Sequence, residues 1–139
     1  MGESVGEKMK RAVFTLVLVC VVSGADVVSI GGLQWQDSSE VKSVKRDFAG
    51  AKRYCSELSL EGFSDWRVPS IKELQTIVDI KKYKPAIKSG FKYTALGEYW
   101  SSTPHATEPD QAWDVNFKEG YTDYDKKKDK YFVRCVRDK

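Results

Sequence analysis

An α+β domain is predicted for this 139-residue chain, and three features of the sequence predict it. Two segments in the first half of the chain repeat apolar residues at three- and four-residue spacing, the last third alternates apolar and polar residues, and the region between keeps no period.

The elements follow in order. IGGLQWQDS opens on paired glycines and sets Leu33 and Trp35 on one face of an extended segment, with Gln34 and Gln36 opposite, which predicts a short half-buried strand. Asp47 is placed to cap a helix through DFAGAKRYCSEL, where Phe48, Ala51, Tyr54, Cys55 and Leu58 form the buried stripe while Lys52, Arg53 and Glu57 point elsewhere. Ser70 and Glu73 stand in capping-box positions just after Pro69, so a second helix is expected from Ile71 to Asp79, with Ile71, Leu74, Ile77 and Val78 on its apolar face. From Ile80 to Asp110 periodicity fades among Pro85, Gly90, Gly97, Pro104 and Pro109, and a long irregular loop region is expected, with YWSST (Tyr99 to Thr103) as its one short strand. AWDVNF alternates Trp113, Val115 and Phe117 against Asp114 and Asn116, turns at Lys118-Glu119-Gly120 and returns through Tyr121 to Tyr124 as a hairpin. A polar turn is expected over Asp125 to Lys130. YFVRCVR then reads as the final strand, with Tyr131, Val133 and Cys135 on one side and Phe132, Arg134 and Val136 on the other.

The N-terminus reads as an export signal. Lys10 and Arg11 precede an apolar run from Ala12 to Val22 that ends in the small residues Ser23, Gly24 and Ala25, the three-part layout of a secretory peptide. Cleavage is expected after Ala25, and Met9 can serve as the start codon. The bland alternative is a hydrophobic N-terminal strand or helix buried in the domain. A lipoprotein signal is excluded because Val19 precedes Cys20, where lipid attachment requires a small residue. Residues 1–25 are thus read as a signal peptide and 26–139 as a single domain, periplasmic, cell-surface or secreted in a bacterium.

Charge and length narrow the partners. Removing residues 1–25 leaves 20 basic against 18 acidic side chains, far from the basic excess that non-specific nucleic-acid binding requires. No stretch offers the roughly 20 uninterrupted apolar residues of a bilayer span. The mature segment keeps only Cys55 and Cys135, and two cysteines can pair completely in an oxidising compartment. The alternatives are two separate buried thiols or, more weakly, a metal site, for which CxxC spacing is lacking and His105 is the one histidine.

GLQWQD, AKRYCSELSLEGFSDWRVPSIKELQTIVD, YKPAI, YWSST, AWDVNF with its glycine turn, and YFVRCVR together resemble the domain family that forms the C-terminal module of the Legionella collagen-like adhesin. The likeness covers nearly the whole mature chain, and GFSDWRVPSIKEL is its most specific phrase. It implies a C-type-lectin-like fold, two helices against a twisted antiparallel sheet, in which a helix-one cysteine bonds to the C-terminal strand. It also implies a role in binding surface carbohydrate or another extracellular ligand.

No catalytic residue is assigned. His105 stands alone in a polar loop, and no serine or cysteine is placed for it to activate. The formylglycine-generating enzymes show that a lectin-like scaffold can carry chemistry, but their working cysteine pair has no counterpart here. Asp110, Asp114, Asp123, Asp125 and Asp129 are numerous enough for paired carboxylates, yet aspartates at turns are ordinarily solvated. Calcium held by Glu108, Asp110 and Asp114 is weighed and not assigned, because their spacing departs from the lectin pattern. No cofactor is expected. Asp65 and Arg67 around Trp66 are read as structural, satisfying buried loop backbone, and Trp35, Trp66, Trp100 and Trp113 as core rather than sugar platforms.

The binding residues expected are lysines: Lys81, Lys82, Lys84, Lys88 and Lys92 in the long loop, and Lys126, Lys127, Lys128 and Lys130 in the last turn. The bland reading is two solvated loops; the sharper one is a surface for anionic polysaccharide or a surface glycan, since ammonium groups on flexible stems suit sulfate or carboxylate without fixed geometry. A protein partner recognised by the long loop is the alternative. N-terminal sequencing of protein recovered from the cell envelope should begin at Asp26; residues 9–25 still attached and packed on the domain would end the export reading.

Overall fold

The computed structural model describes residues 26–139, so the expected export signal lies outside the described residues. In chain order the elements are β1 (Val27–Ile30), β2 (Leu33–Gln36), a 3-10 turn (Ser39–Lys42), α1 (Phe48–Glu57), α2 (Ile71–Gln75), β3 (Glu98–Pro104), β4 (Gln111–Asn116), β5 (Tyr121–Lys126) and β6 (Val136–Asp138). The strands make two antiparallel sheets, one ordered β1-β2-β6 and the other β3-β4-β5. The α+β class and the β4–β5 hairpin are as the sequence predicts.

The single sheet expected from the sequence is instead two, because the final segment changes partner halfway along. Tyr131 exchanges hydrogen bonds with Arg46 (2.7 and 2.9 Å), and Phe132 runs parallel beside β3, donating to Glu98 and accepting from Trp100. Four residues later Val136 pairs with Trp35 of β2 and exchanges two 2.8 Å bonds with Arg67. YFVRCVR is therefore extended, but only its end belongs to a ladder. Its alternation nonetheless sorts correctly. Tyr131, Val133 and Cys135 face one core, with Phe48, Ala51, Cys55, Trp66, Val68, Trp100 and Ala112. Phe132 and Val136 face the other, with Trp35, Val41, Leu74, Ile77, Ile87, Tyr99, Val115 and Phe117. The half-buried expectation for β2 also needs correcting. Gln36 is fully buried, with its Nε2 donating to the Tyr54 hydroxyl at 2.7 Å and its Oε1 accepting from the Cys135 N–H at 3.1 Å.

Both helices start where the capping residues place them. The Asp47 carboxylate accepts the Gly50 N–H at 2.8 Å, and Ser70 with Glu73 closes a reciprocal capping box. α2 is shorter than expected. After Gln75 the chain tightens into three-residue-spaced bonds, then Val78 bridges to Ile87 and Asp79 donates to Ala86, so pairing with 86–88 displaces the last helical turn. The turn between β4 and β5 needs its glycine: Gly120 has φ +92°, and a Cβ there would meet Ala86 and Val78 at 3.1 Å.

Two fastenings hold the changeover segment. Arg134 is buried between the cores and donates to the Gln36 carbonyl (2.6 Å), to Thr94 Oγ1 (2.9 Å) and to the Tyr93 carbonyl, and it pairs with Asp37 at 3.3 Å. Beside it Cys55 of α1 and Cys135 form a buried disulfide across a sequence separation of 80. Replacing both cysteines with alanine should lower stability by about 4–5 kcal/mol in the chain-entropy account, read as a lower denaturant midpoint; two freely alkylatable thiols in the native exported protein would contradict the bond.

Candidate functional site

The nine expected lysines do not form one surface. Lys81 and Lys88 line a shallow groove of about 510 Å³ with Gln75, Asp79 and Thr122, at the start of β5. Lys126, Lys127 and Lys128 surround a second hollow of about 380 Å³ with Asp110, at the other end of that strand. Lys126 lies four residue steps along the strand from Thr122, about 13 Å at ordinary strand rise. Within the long loop the lysines are dispersed: Lys82 Nζ donates to Ser89 Oγ, Lys84 lies over the Tyr83 ring, and Lys92 over the Tyr93 ring.

The last-turn lysines instead meet basic residues of α1 and its approach. Lys130 lines an open groove of about 440 Å³ with Lys45, Arg46, Arg53 and Tyr54, whose acidic members are Asp47, held as the α1 cap, and Glu57. Lys127 and Lys52 both hold their ammonium groups 5.2 Å from the Phe48 ring. Arg46 lies 3.8 Å from the centre of the Tyr54 ring, and its Nη1 has no hydrogen-bond partner among the described residues. Burial and the hydrogen bond to Glu40 push the Tyr54 hydroxyl up to about 12, so this ring stays neutral. Lys45, Arg46, Lys52 and Arg53 were not among the expected binding residues. Their signal was present as two basic pairs seven positions apart, which brings both to one side of the capped helix start, but Lys52 and Arg53 read simply as a solvated face.

The Asp65–Trp66–Arg67 cluster is structural, as expected: the Trp66 indole N–H donates to the Phe63 loop carbonyl at 3.1 Å, and the two charged residues add ion pairs. Arg67 grips Glu73 through two bonds of 2.8 and 2.9 Å and reaches Asp138 at 3.1 Å, while Asp65 takes Arg137 Nε at 2.6 Å. Glu73 pushes the Arg67 guanidinium further up from its ordinary value, and Arg67 in turn holds the Glu73 carboxyl below the usual range. Trp35, Trp66 and Trp100 are core, as expected; Trp113 is only half-buried.

Compared with known families, residues 29–137 match the family model described as the Lcl C-terminal domain. No curated protein matches the chain.

The acids weighed for calcium are not brought together. Glu108 and Asp110 are exposed in the β3–β4 loop, Asp114 is fully buried on β4, and no group of three metal-ligating side chains forms among the described residues. Neither Asp114 oxygen has a hydrogen-bond partner among those residues. Burial pushes its carboxyl up to about 9, and the carboxylates of Asp125, Asp123 and Glu98 add to the rise. Such an acid favours the folded state below its unfolded value of about 3.9 and loses that contribution as pH climbs toward the folded value. Asp114→Asn, which cannot ionise, should therefore be more stable than the native protein by about 2 kcal/mol at pH 8, with the gap shrinking toward pH 4; thermal melts across that range measure it.

Proposed function

Because this chain belongs to the Lcl C-terminal domain family, we propose that it is an extracytoplasmic binding or adhesion module for anionic polysaccharide, working without turnover or cofactor. Family membership and a fully buried disulfide both indicate an extracellular domain. No helix of the described residues is long and apolar enough to cross a membrane. A bond from helix one to the last segment supports reading the fold as C-type-lectin-like.

The observation that carries the ligand class is the junction of the last turn with α1. Lys130 lines an open groove there with Lys45, Arg46 and Arg53, Lys127 meets Lys52 over the Phe48 ring, and Lys126 and Lys128 line a second hollow with Lys127. A row of separated cations along an open groove fits an extended polyanion better than a small enclosed ligand, since each sulfate or carboxylate meets a local charge and the chain can run on past the ends. Each contact is weak: exposed ion pairs contribute at most about 1 kcal/mol and are screened over roughly 8–10 Å near physiological salt.

The long-loop lysines serve this reading less well, because Lys81 and Lys88 sit at the far end of β5 and Lys82, Lys84 and Lys92 are dispersed. That loop favours the second reading, a surface for a polypeptide, since it holds the most exposed large apolar side chains, Ile80 at 84% and Tyr83 at 70%.

A heparin column tests the first reading. The protein should be retained, and changing Lys126, Lys127, Lys128 and Lys130 to Ser should move elution to clearly lower salt. Changing Lys81, Lys82, Lys84, Lys88 and Lys92 to Ser should move it less. Elution of the native protein at very low salt, or no shift in either variant, would make the lysines a solvated surface, and a pull-down from the envelope with Ile80→Ser as control would then take up the polypeptide reading.

A further inference from the structure

We propose that the rings of His105, Trp113 and Tyr124 form a saccharide-stacking subsite beside the last-turn lysines, taking the C–H face of a pyranose unit in the polysaccharide those lysines meet. The proposal deepens the polysaccharide reading and rests on it.

Four observations bring it together. Trp113 is the tryptophan that the fold leaves out of its two cores, and Tyr124, its partner across the β4–β5 ladder, is 45% exposed. His105 stacks on Trp113 with centroids 5.2 Å apart and planes 19° from parallel, while Tyr124 stands edge-on to both, at 4.6 Å from His105 and 5.1 Å from Trp113. The assembly is fixed in place: His105 Nδ1 accepts the backbone N–H groups of Thr107 and Glu108, and the His105 N–H donates to the Gln111 carbonyl. No hydrogen bond among the described residues engages the Tyr124 hydroxyl or the Trp113 indole N–H, so two polar edges flank the rings.

The register sets the charge beside them. Strand side chains alternate, and Gln111, Trp113, Tyr124 and Lys126 all project from one face of the hairpin, with Lys126 two positions from Tyr124. The opposite end of that face is occupied, since Gln75 of α2 donates to Thr122 and Val115 packs into a core. The aromatic end is left outside. A pyranose has two kinds of surface, a face of C–H bonds carrying partial positive charge and a rim of hydroxyl or sulfate groups. Aromatic faces carry the complementary negative quadrupole, and an ammonium on a flexible stem reaches the rim. Rings alone would suit any apolar partner; rings with unengaged polar edges and a cation on the same face suit a charged sugar.

The test measures heparin affinity of the full chain at several salt concentrations. The variants are Tyr124→Phe, Tyr124→Leu, His105→Ala and Lys126→Ser, each checked by thermal melting. Tyr124→Phe, which keeps the ring and loses only the hydroxyl, should lose affinity no more than about twofold, and Tyr124→Leu should lose it roughly three- to tenfold with an unchanged salt slope. Lys126→Ser should reduce the slope by about one, as expected for loss of one charge contact. Bound heparin should also shield Trp113 from acrylamide quenching, an effect absent in Trp113→Phe. If Tyr124→Leu folds poorly, His105→Ala and the Trp113 shielding decide. Heparin binding with full affinity in Tyr124→Leu and no shielding of Trp113 overturns the subsite and leaves the polysaccharide reading standing. Failure of the native protein to bind heparin removes both.

Discussion

The ion pair between Arg134 and Asp37 is what the rest of the fold is arranged around. Both side chains are 1% exposed, and a guanidinium with no water must find protein acceptors for its donors. It takes the Gln36 carbonyl, the Tyr93 carbonyl and Thr94. Asp37 takes the backbone N–H groups of Lys92 and Tyr93. Three distant stretches, the end of β2, the loop near Tyr93 and the final segment, thus share one charged centre. Burial pulls the Arg134 guanidinium below its usual range and the Asp37 charge opposes that pull; removing either partner would strand the other charge in the interior. Buried ion pairs can often be replaced by well-packed apolar side chains without loss of stability, so this pair is better understood as fixing which segments meet than as a source of free energy.

That constraint explains why the C-terminal segment can divide two cores. An ordinary strand in one sheet offers one face to the interior. Here Arg134 holds the chain at the point where it leaves β3 and joins β2, so alternate residues are buried on both sides, and the disulfide at Cys135 joins the same point to α1. The helices and hairpin are positioned from this line outward. α1 packs on the side of Trp100 and Val133, leaving its Lys52 and Arg53 face beside the last turn. α2 crosses the other face of the hairpin from Thr103 to Thr122.

Much of this was legible in local pattern. Caps were readable because Asp47 and Ser70 satisfy helix-end donors within three residues. The hairpin was readable because β4 alternates and Gly120 supplies a turn no other residue fits as well. What could not be read were consequences of long-range pairing. Nothing near Arg134 in the chain distinguishes a buried arginine from a solvated one, since its acceptors are about 40 and 98 positions away. The shortened α2 has the same cause, because its expected last turn is apolar enough for a helix but pairs with residues 86–88 instead. Where the lysines come to lie is set in the same long-range way. Sequence shows two lysine-rich segments, but only the fold shows that one of them meets α1 while the other lies a strand-length away.

The division of labour between the two basic residue types follows from their chemistry. Arg67, Arg134 and Arg137 hold the ion pairs that tie the termini of elements together, with Glu73, Asp138, Asp37 and Asp65 as partners. A planar guanidinium suits this because it meets a carboxylate through two parallel bonds and loses less on leaving water. The last-turn lysines enter no ion pair among the described residues, and Asp114, which would otherwise add negative charge behind the sheet, is held protonated by its burial. Several acids are thus either neutralised inside or committed to arginine, while ammonium groups remain at the surface. A nearly neutral composition therefore hides how the fold gathers ammonium and guanidinium groups at α1 and the last turn, and on the polysaccharide reading it is this local arrangement, more than the net charge, that an anionic polymer would meet.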